Sequence, residues 1–197
     1  MTSPTASPVE LAIVLVDVQS HFLKAVNDPE PLLARLEQLL IVADWFDIPV
    51  ISTTEGPVDC KGTLAERLAR RLPENSLEFT KQTYDLCSET EIRDALSATG
   101  RSQFAVAGGE TDVCVLQSAL GLLNMGFAVF VLEDCVFSSE CKADAAWRRL
   151  AQAGAVPTTF KSLFYELVHS EQNEFWTQIE QLKKLGWTPP ESLPPRE

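Results

Sequence analysis

FAVAGGETDVCV, residues 104–115, combines a short apolar run, a Gly-Gly turn and a polar segment at which a helix can begin. The run FAVA has the length and composition of a strand that is buried on both faces, as in a parallel sheet. A helix is predicted over residues 111–125, because Gly126 provides a C-terminal stop. A buried strand that leads directly into a helix is the repeating unit of α/β proteins, so this stretch predicts a parallel sheet covered by helices.

The same alternation extends in both directions along the chain. Five further strands are predicted, at residues 11–16, 49–52, 77–80, 127–132 and 155–158. Further helices are predicted over residues 28–46, 63–72, 89–99, 140–153 and 170–185. Six strands that alternate with helices predict an α/β protein, with a three-layer α/β/α Rossmann-like fold and a mainly parallel six-stranded sheet.

Length and composition are typical of a globular protein. The chain has 197 residues, 45% of them apolar, which is too apolar for a disordered chain and suits one domain. Residues 1–10 are rich in Pro, Ser and Thr, and residues 187–197 are rich in Pro. We therefore predict a flexible N-terminal tail over 1–10, one folded domain over 11–186 and a Pro-rich C-terminal tail over 187–197.

Charge and cysteine content limit the partners and the compartment. The 28 acidic residues outnumber the 16 basic ones, so we expect no nucleic-acid partner and no membrane partner. The N-terminal segment lacks the pattern of a signal peptide, and the apolar run Leu11–Val16 is too short to span a bilayer. The five cysteines show no paired spacing and the two histidines no metal-ligand spacing. This pattern predicts a cytoplasmic protein without a metal or other cofactor.

Reactive side chains follow three of the predicted strands. Asp17 follows the first strand, Lys81 follows LEFT, and Cys114 lies near the start of the helix after FAVA. Each residue alone has an ordinary structural explanation: a turn former, a solvated lysine and a small core residue. Ligands of parallel sheets bind outside the carboxyl ends of the strands, so the fold should bring these three side chains to one edge.

The three residue types can form a nucleophilic system that needs no histidine. A helix N-terminus and a nearby Lys81 are expected to lower the pKa of Cys114. Asp17 can accept the thiol proton and pass it to a leaving group. Backbone N–H groups at the Gly-rich turn can stabilise a developing oxyanion.

Three segments carry a resemblance to a known family. They are LAIVLVDVQSHF (residues 11–22), FTKQTY (residues 79–84) and VAGGETDVCV (residues 106–115). In this order they resemble the isochorismatase-like cysteine hydrolase superfamily, which includes nicotinamidases, N-carbamoylsarcosine amidases and isochorismatases. The resemblance covers roughly residues 10–185. It implies an isochorismatase-like hydrolase domain over 11–186 that assembles into a homo-oligomer.

The resemblance also implies roles for individual residues. The family's Asp–Lys–Cys catalytic triad corresponds to Asp17, Lys81 and Cys114. Its non-proline cis peptide bond corresponds to the bond between Gly109 and Glu110. Its oxyanion donors correspond to the backbone N–H groups of Glu110 and Cys114.

The resemblance also has consequences for the substrate pocket and for the metal site that nicotinamidases carry. The resemblance places Phe22, Tyr84 and Thr111 at the substrate pocket. Nicotinamidases carry Asp and His metal ligands after the second strand, whereas residues 52–62 contain no histidine. The segments VCVLQSAL and TTFKSLFYEL, together with Glu110, are more similar to the isochorismatase-domain-containing branch, whose substrates are poorly defined.

The leading hypothesis is a metal-independent cysteine hydrolase that cleaves an amide or a related bond in a small molecule. Two alternatives stay open. One is a vinyl-ether hydrolase of the isochorismatase type, and the other is a non-catalytic scaffold that retains the fold. A nucleotide-binding Rossmann domain lacks support, because Gly108 and Gly109 do not form a G-x-G-x-x-G motif.

Overall fold

The computed structural model of the chain describes residues 4–140, 143–170 and 174–187. The strands are β1 Leu11–Val16, β2 Val50–Glu55, β3 Leu77–Lys81, β4 Gln103–Gly109, β5 Ala128–Phe137 and β6 Val156–Thr158. The α-helices are α1 Ser20–Leu23, α2 Glu30–Trp45, α3 Val58–Lys61, α4 Glu66–Ala69, α5 Thr90–Ala98, α6 Leu116–Asn124, α7 Asp144–Ala153, α8 Phe160–Val168 and α9 Glu180–Lys184. Shorter helical segments are Leu86–Ser88, Thr111–Val115 and Glu174–Gln178.

The six strands form one parallel sheet in the order β3-β2-β1-β4-β5-β6. The predicted α/β fold with six parallel strands is therefore confirmed. The order of the strands reverses at β1: β2 and β3 follow on one side of β1, and β4, β5 and β6 on the other. In open parallel sheets a crevice forms at such a reversal, outside the carboxyl ends of the strands.

Apolar residues cover the sheet on both faces, which explains the uninterrupted apolar run of β1. Leu15 belongs to a core cluster with residues of α2, α8 and α9, whereas the next residue, Val16, belongs to a cluster with residues of α5, α6 and α7. Successive side chains of a strand point to opposite faces, so an apolar residue is needed at every position. All six residues of β1 are buried.

The C-terminal helices differ from the sequence-based prediction. No helix was predicted over residues 159–169, but α8 forms there, and the Thr159 hydroxyl accepts a hydrogen bond from the backbone N–H of Ser162 (3.2 Å). His169, with φ 58°, ends α8, so the helix predicted over 170–185 is limited to Glu174–Gln178 and α9. Residues 171–173 of that prediction lie outside the described residues.

The helix predicted over residues 63–72 is reduced to α4. Leu64 pairs with Gln19 in an antiparallel bridge, and the backbone N–H of Ala65 donates to Val18 O (2.8 Å). These strand-like contacts take the residues that would form the first turn of the longer helix. The helix predicted over 140–153 begins at Asp144, and residues 141 and 142 lie outside the described part of the chain.

Residues at both ends of the described chain pack on the domain. Ala6 is buried, and its N–H donates to the Glu166 carboxylate (2.6 Å). Trp187 is also buried, and its ring centroid lies 5.0 Å from that of Phe164. Both residues belong to segments that we assigned to the tails. Among the described residues, no helix combines the length and the apolar character that crossing a membrane requires.

Candidate active site

The structure brings Asp17, Lys81 and Cys114 together at the crevice between β1 and β4. Asp17 follows β1 with φ 48°, and its backbone N–H donates to Thr53 O of β2 (3.0 Å). Lys81 is the last residue of β3. Cys114 lies in the π-helical turn Thr111–Val115 that follows β4. Asp17 and Lys81 are fully buried, and Cys114 is 5% exposed.

Lys81 connects the other two side chains. Its Nζ lies 2.6 Å from Asp17 Oδ2 and 3.7 Å from Cys114 Sγ, and it also donates to Thr83 O (3.0 Å). The second carboxylate oxygen of Asp17 accepts a hydrogen bond from the Thr53 hydroxyl (2.9 Å). Asp17 is therefore fixed by two partners, and Lys81 places a positive charge between the carboxylate and the thiol.

Glu55 is a fourth member of this cluster that the sequence analysis missed. It is the last residue of β2, and its Oε2 lies 3.4 Å from Cys114 Sγ and 4.0 Å from Lys81 Nζ. The predicted second strand ended at Ser52, three residues too early. An extension of that strand would have identified Glu55 as the side chain at its carboxyl end.

Polar contacts hold the backbone on both sides of Glu55. The side-chain oxygen of Gln19 accepts the N–H of Glu55 (2.6 Å), and its Nε2 donates to Glu55 O (3.1 Å) and Gly62 O (2.6 Å). Lys61 forms an ion pair with Glu55 Oε1 and donates to Gly56 O (2.8 Å). These contacts fix both the main chain and one carboxylate oxygen of Glu55.

The turn between β4 and Cys114 requires glycine. Gly108 has φ 109°, and a Cβ at this position would lie 2.0 Å from Val16 O. A Cβ on Gly109 would lie 2.2 Å from the ring of Phe137. The peptide bond between Gly109 and Glu110 is cis, at the position that the family resemblance implied. The turn can therefore approach β1 closely, which brings the helical segment with Cys114 over Asp17.

A cavity of about 210 Å³ opens above the thiol. It is lined by Phe22, Glu55, Tyr84, Gly109, Glu110, Val113 and Cys114. Phe22 and Tyr84, which the resemblance assigns to the substrate pocket, both line this cavity. Thr111 does not: it is buried, and its hydroxyl donates to Phe137 O (3.0 Å). Thr111 fastens the turn to β5 and is not among the residues that line the cavity.

The electrostatic environment of the thiol differs from the expected one. Burial raises the pKa of Cys114 well above its ordinary value, and the negative charges of Asp17 and Glu55 raise it further. Lys81 lowers it, but not enough to reverse the shift. Burial also raises the pKa of the Asp17 carboxyl, against the lowering effect of Lys81 and Thr53. The expectation of a lowered thiol pKa was therefore wrong, because burial and the two carboxylates outweigh Lys81.

The sequence matches a family model over most of the chain. A model described as isochorismatase domain covers residues 11–162. The chain belongs to the isochorismatase family. Like the YcaC protein of Escherichia coli strain K12, which is described as a probable hydrolase, this family member is a hydrolase. YcaC is 32% identical over 168 residues, which are 84% of this chain and 81% of YcaC.

Solved structures of similar proteins share the fold of this isochorismatase-family chain. MAR1 ribonuclease from Caenorhabditis elegans superposes with a TM-score of 0.85 and 25% identity, over 98% of this chain and 100% of that one. YcaC from Pseudomonas aeruginosa, solved with hexane-2,5-diol and covalent acrylamide, gives 0.83 and 28%, over 94% and 91%. YcaC from E. coli, an octameric hydrolase of unknown specificity, gives 0.83 and 27%, over 94% and 97%.

The acidic side chains of this site also resemble a metal-binding group. One carboxylate oxygen each of Asp17 and Glu55 and the Sγ of Cys114 lie within 4.8 Å of one another. The Nζ of Lys81 already lies beside all three residues, at 2.6 to 4.0 Å. The positive charge of Lys81 is therefore already close to the three donors.

Proposed function

We propose that this isochorismatase-family hydrolase is a metal-independent cysteine hydrolase that cleaves an amide, or a related bond, in a small molecule. The observation that carries the proposal is the position of Cys114. Its Sγ lines a cavity sized for a small molecule, with Lys81 Nζ at 3.7 Å, Glu55 Oε2 at 3.4 Å and a carboxylate oxygen of Asp17 within 4.8 Å. A thiol, an acid–base group and a fixed cation are what nucleophilic catalysis requires.

The proposed reaction has two halves. Cys114 Sγ bonds to the carbonyl carbon while its proton passes to Asp17, and the negative charge that develops on the oxygen is stabilised by the N–H groups of Glu110 and Cys114. Asp17 then protonates the leaving nitrogen as the C–N bond breaks. In the second half Asp17 accepts a proton from water as the hydroxide bonds to the acyl carbon; the C–S bond then breaks, the acid leaves, and Asp17 passes the proton to the sulfur. The sum is amide plus water to acid plus amine.

The raised pKa of the thiol is compatible with this sequence of steps. A neutral thiol does not carry an uncompensated charge in the buried resting site, and the proton leaves only as the C–S bond forms. Asp17, whose pKa is also raised by burial, is a better proton carrier than an exposed aspartate. The positive charge of Lys81 then stabilises whichever of Asp17 and Cys114 is ionised.

The test is ammonia release from a panel of small primary amides. Replacement of Cys114 by Ala should lower turnover at least about 1,000-fold, because no nucleophile remains. Cys60→Ala is the matched control, since Cys60 is exposed and lies outside the cavity. Full turnover by Cys114→Ala would refute the mechanism. No turnover by the wild type on any amide, with no reactive thiol at position 114, would favour the scaffold alternative, and turnover only of vinyl ethers would favour the ether hydrolase.

The relatives also inform the expected partners. YcaC of E. coli is octameric, so we propose that this chain forms a homo-oligomer, which light scattering after gel filtration would measure. Some similar structures are described as MAR1 ribonucleases, but we expect no nucleic-acid substrate here. The net charge is −12, and two of the residues that line the cavity are glutamates, whose negative charges repel phosphate. A cytoplasmic location remains our proposal from the cysteine pattern.

A further inference from the structure

Glu55 and the cis peptide bond lie on opposite walls of the cavity. In the sheet β1 lies between β2, which ends at Glu55, and β4, which ends at Gly109. Neighbouring strands are about 4.8 Å apart, so the ends of β2 and β4 are separated by about 10 Å with Cys114 above them. A planar group that reacts at Cys114 therefore has one edge toward Glu110 and the other toward Glu55.

The orientation of a bound amide follows from this arrangement, provided that the proposed function is correct. With the carbonyl carbon at Cys114 Sγ and the oxygen at the N–H groups of Glu110 and Cys114, the amide nitrogen lies on the β2 side. Glu55 Oε2 is 3.4 Å from Sγ and lines the same cavity, so it is within hydrogen-bond reach of that nitrogen. Asp17 and Lys81 are not among the residues that line the cavity.

Of the two carboxylate oxygens of Glu55, Oε2 accepts a hydrogen bond from the Cys114 thiol (3.4 Å), which gives up this proton when the sulfur reacts and so leaves Oε2 to the substrate. Oε1 is held by Lys61, whose Nζ also lies 6.0 Å from the ring centroid of Phe22, and Gln19 fixes the main chain. An ionised carboxylate only accepts hydrogen bonds, so the group opposite Oε2 must be a donor. An amide N–H satisfies this requirement. An ester oxygen in the same place has no hydrogen to donate, and its lone pairs would be repelled by the carboxylate oxygen.

The charge of the cavity lining points in the same direction. Among the described residues that line it, none is a lysine or an arginine, and two are glutamates. Lys61, whose Nζ lies 6.0 Å from the ring of the lining residue Phe22, is already paired with Glu55. An anionic substrate group would therefore lack a free partner.

We infer that Glu55 is a specificity-determining residue, whose Oε2 accepts an N–H of the reacting amide and thereby selects uncharged amides over esters and carboxylates. A charge-assisted hydrogen bond of this kind is worth about 10-fold or more in rate or affinity. Its removal should change the preference between an amide and its ester counterpart, not merely the overall rate.

The test uses the alkylation of Cys114 and does not depend on turnover. Acrylamide and methyl acrylate both add their β-carbon to the thiol, the sulfur–carbon bond replaces the C=C π bond, and the thiol proton ends on the α-carbon. The rates of labelling at Cys114 are measured by mass spectrometry for the wild type, for Glu55→Gln and for Glu78→Gln. Glu78 is an exposed glutamate on β3 outside this cavity and serves as the matched control.

In Glu55→Gln the ratio of the acrylamide rate to the methyl acrylate rate should fall by at least about 5-fold, and in Glu78→Gln it should be unchanged. Comparing the two probes cancels any change in thiol reactivity that the lost charge causes. An unchanged ratio in a folded Glu55→Gln protein would overturn the inference, as would a wild type that acrylamide does not label.

A second measurement needs no variant. For the wild type we compare the rate of labelling of Cys114 by acrylamide with its rate of labelling by the acrylate anion. This rate ratio should be more than about 10 times the same ratio measured for free glutathione. A value near one would overturn the inference. These results are distinguishable from a failure of the proposed function. Turnover that survives Cys114→Ala would refute the mechanism, whatever the labelling ratios are. A wild type that shows the predicted ratios but hydrolyses no amide would refute only the hydrolytic proposal.

Discussion

Cys114 and Cys87 lie in the same hydrophobic cluster on one face of the sheet and have similar surroundings. Both are buried, and burial raises the pKa of both, that of Cys87 to about 12. Each has a carboxylate and a cation nearby: Asp17 and Lys81 for Cys114, and Asp85 and Arg93 for Cys87. Neither burial nor pKa therefore distinguishes the proposed nucleophile from a structural thiol.

The difference between the two cysteines is in contact and access. Lys81 Nζ lies 3.7 Å from Cys114 Sγ. Arg93, in contrast, donates to the backbone oxygen of Cys87 (2.9 Å), and the Cys87 thiol donates to Ser118 O (4.0 Å). Cys114 lines the cavity, and Cys87 does not. A buried thiol becomes a candidate nucleophile when a cation contacts the sulfur itself and a substrate can reach it.

The largest expected effect comes from removal of the cation. Lys81→Met should abolish amide turnover, with a loss of about 1,000-fold or more, because no charge remains to stabilise the ionised thiol. It should also lower the free energy of unfolding by about 3 kcal/mol, because Asp17 loses its buried partner. Kinetics and urea unfolding measure the two effects.

Arg93→Met is the matched experiment at Cys87. Arg93 is half-buried and makes hydrogen bonds to two backbone oxygens and to the Thr90 hydroxyl. Its loss should cost about 1 kcal/mol in stability and leave turnover intact. Equal losses of activity in the two variants would mean that contact with the sulfur does not distinguish the two sites.

A smaller effect is expected from an added methyl group beside each cysteine. A Cβ on Gly109 meets the Phe137 ring at 2.2 Å, and a Cβ on Gly121 meets Asp85 Oδ1 at 2.4 Å and Cys87 Cβ at 2.9 Å. Each substitution to Ala should cost about 1–3 kcal/mol, since overpacking displaces neighbours in a dense core. Only Gly109→Ala should also lower turnover per folded molecule, by about 100-fold, because it moves the turn next to Cys114.

Thermal unfolding and the turnover of the folded fraction separate these two outcomes. Gly121→Ala with full activity and reduced stability is the expected control result. If Gly121→Ala also lost turnover, the region around Cys87 would affect the catalytic site, and the proposed difference between the two cysteines would be wrong.

The sequence predicted what depends on residue type at the end of an apolar strand. Asp17 and Cys114 follow continuous apolar runs and Lys81 follows the short strand LEFT, and parallel pairing then brings the three to one crevice. Glu55 was missed because the residues before it, Ser52 and two threonines, are polar and broke the apolar pattern, although β2 continues through them as a buried strand. Apolar periodicity does not detect polar residues that are buried by tertiary packing.

The electrostatic prediction failed for a related reason. The sequence identifies a lysine and a helix start near Cys114, but the burial of the thiol and the second carboxylate depend on the assembled site. Desolvation is the largest cause of the raised thiol pKa, and it has no local sequence signal. The helix α8 was missed because its capping residue, Thr159, adjoins a strand that the sequence indicates only weakly.

The last expected effect concerns stability at alkaline pH and leaves turnover at neutral pH aside. An unfolded cysteine has a pKa of 9.0, and that of folded Cys87 is about 12, so above pH 9 the folded state holds a proton that the unfolded state loses. The free energy of unfolding therefore falls as pH rises, by about 1.4 kcal/mol per pH unit for each such thiol between the two values. Cys87→Ala lacks this thiol, so its free energy of unfolding should fall less steeply with pH, by about 1.4 kcal/mol per pH unit. This difference in slope does not depend on how the substitution changes stability at neutral pH. Urea unfolding at pH 8 and pH 10.5 measures the slopes; the same slope in both proteins would mean that Cys87 ionises as freely in the folded protein as in the unfolded chain, and the similarity of the two buried thiols would be lost.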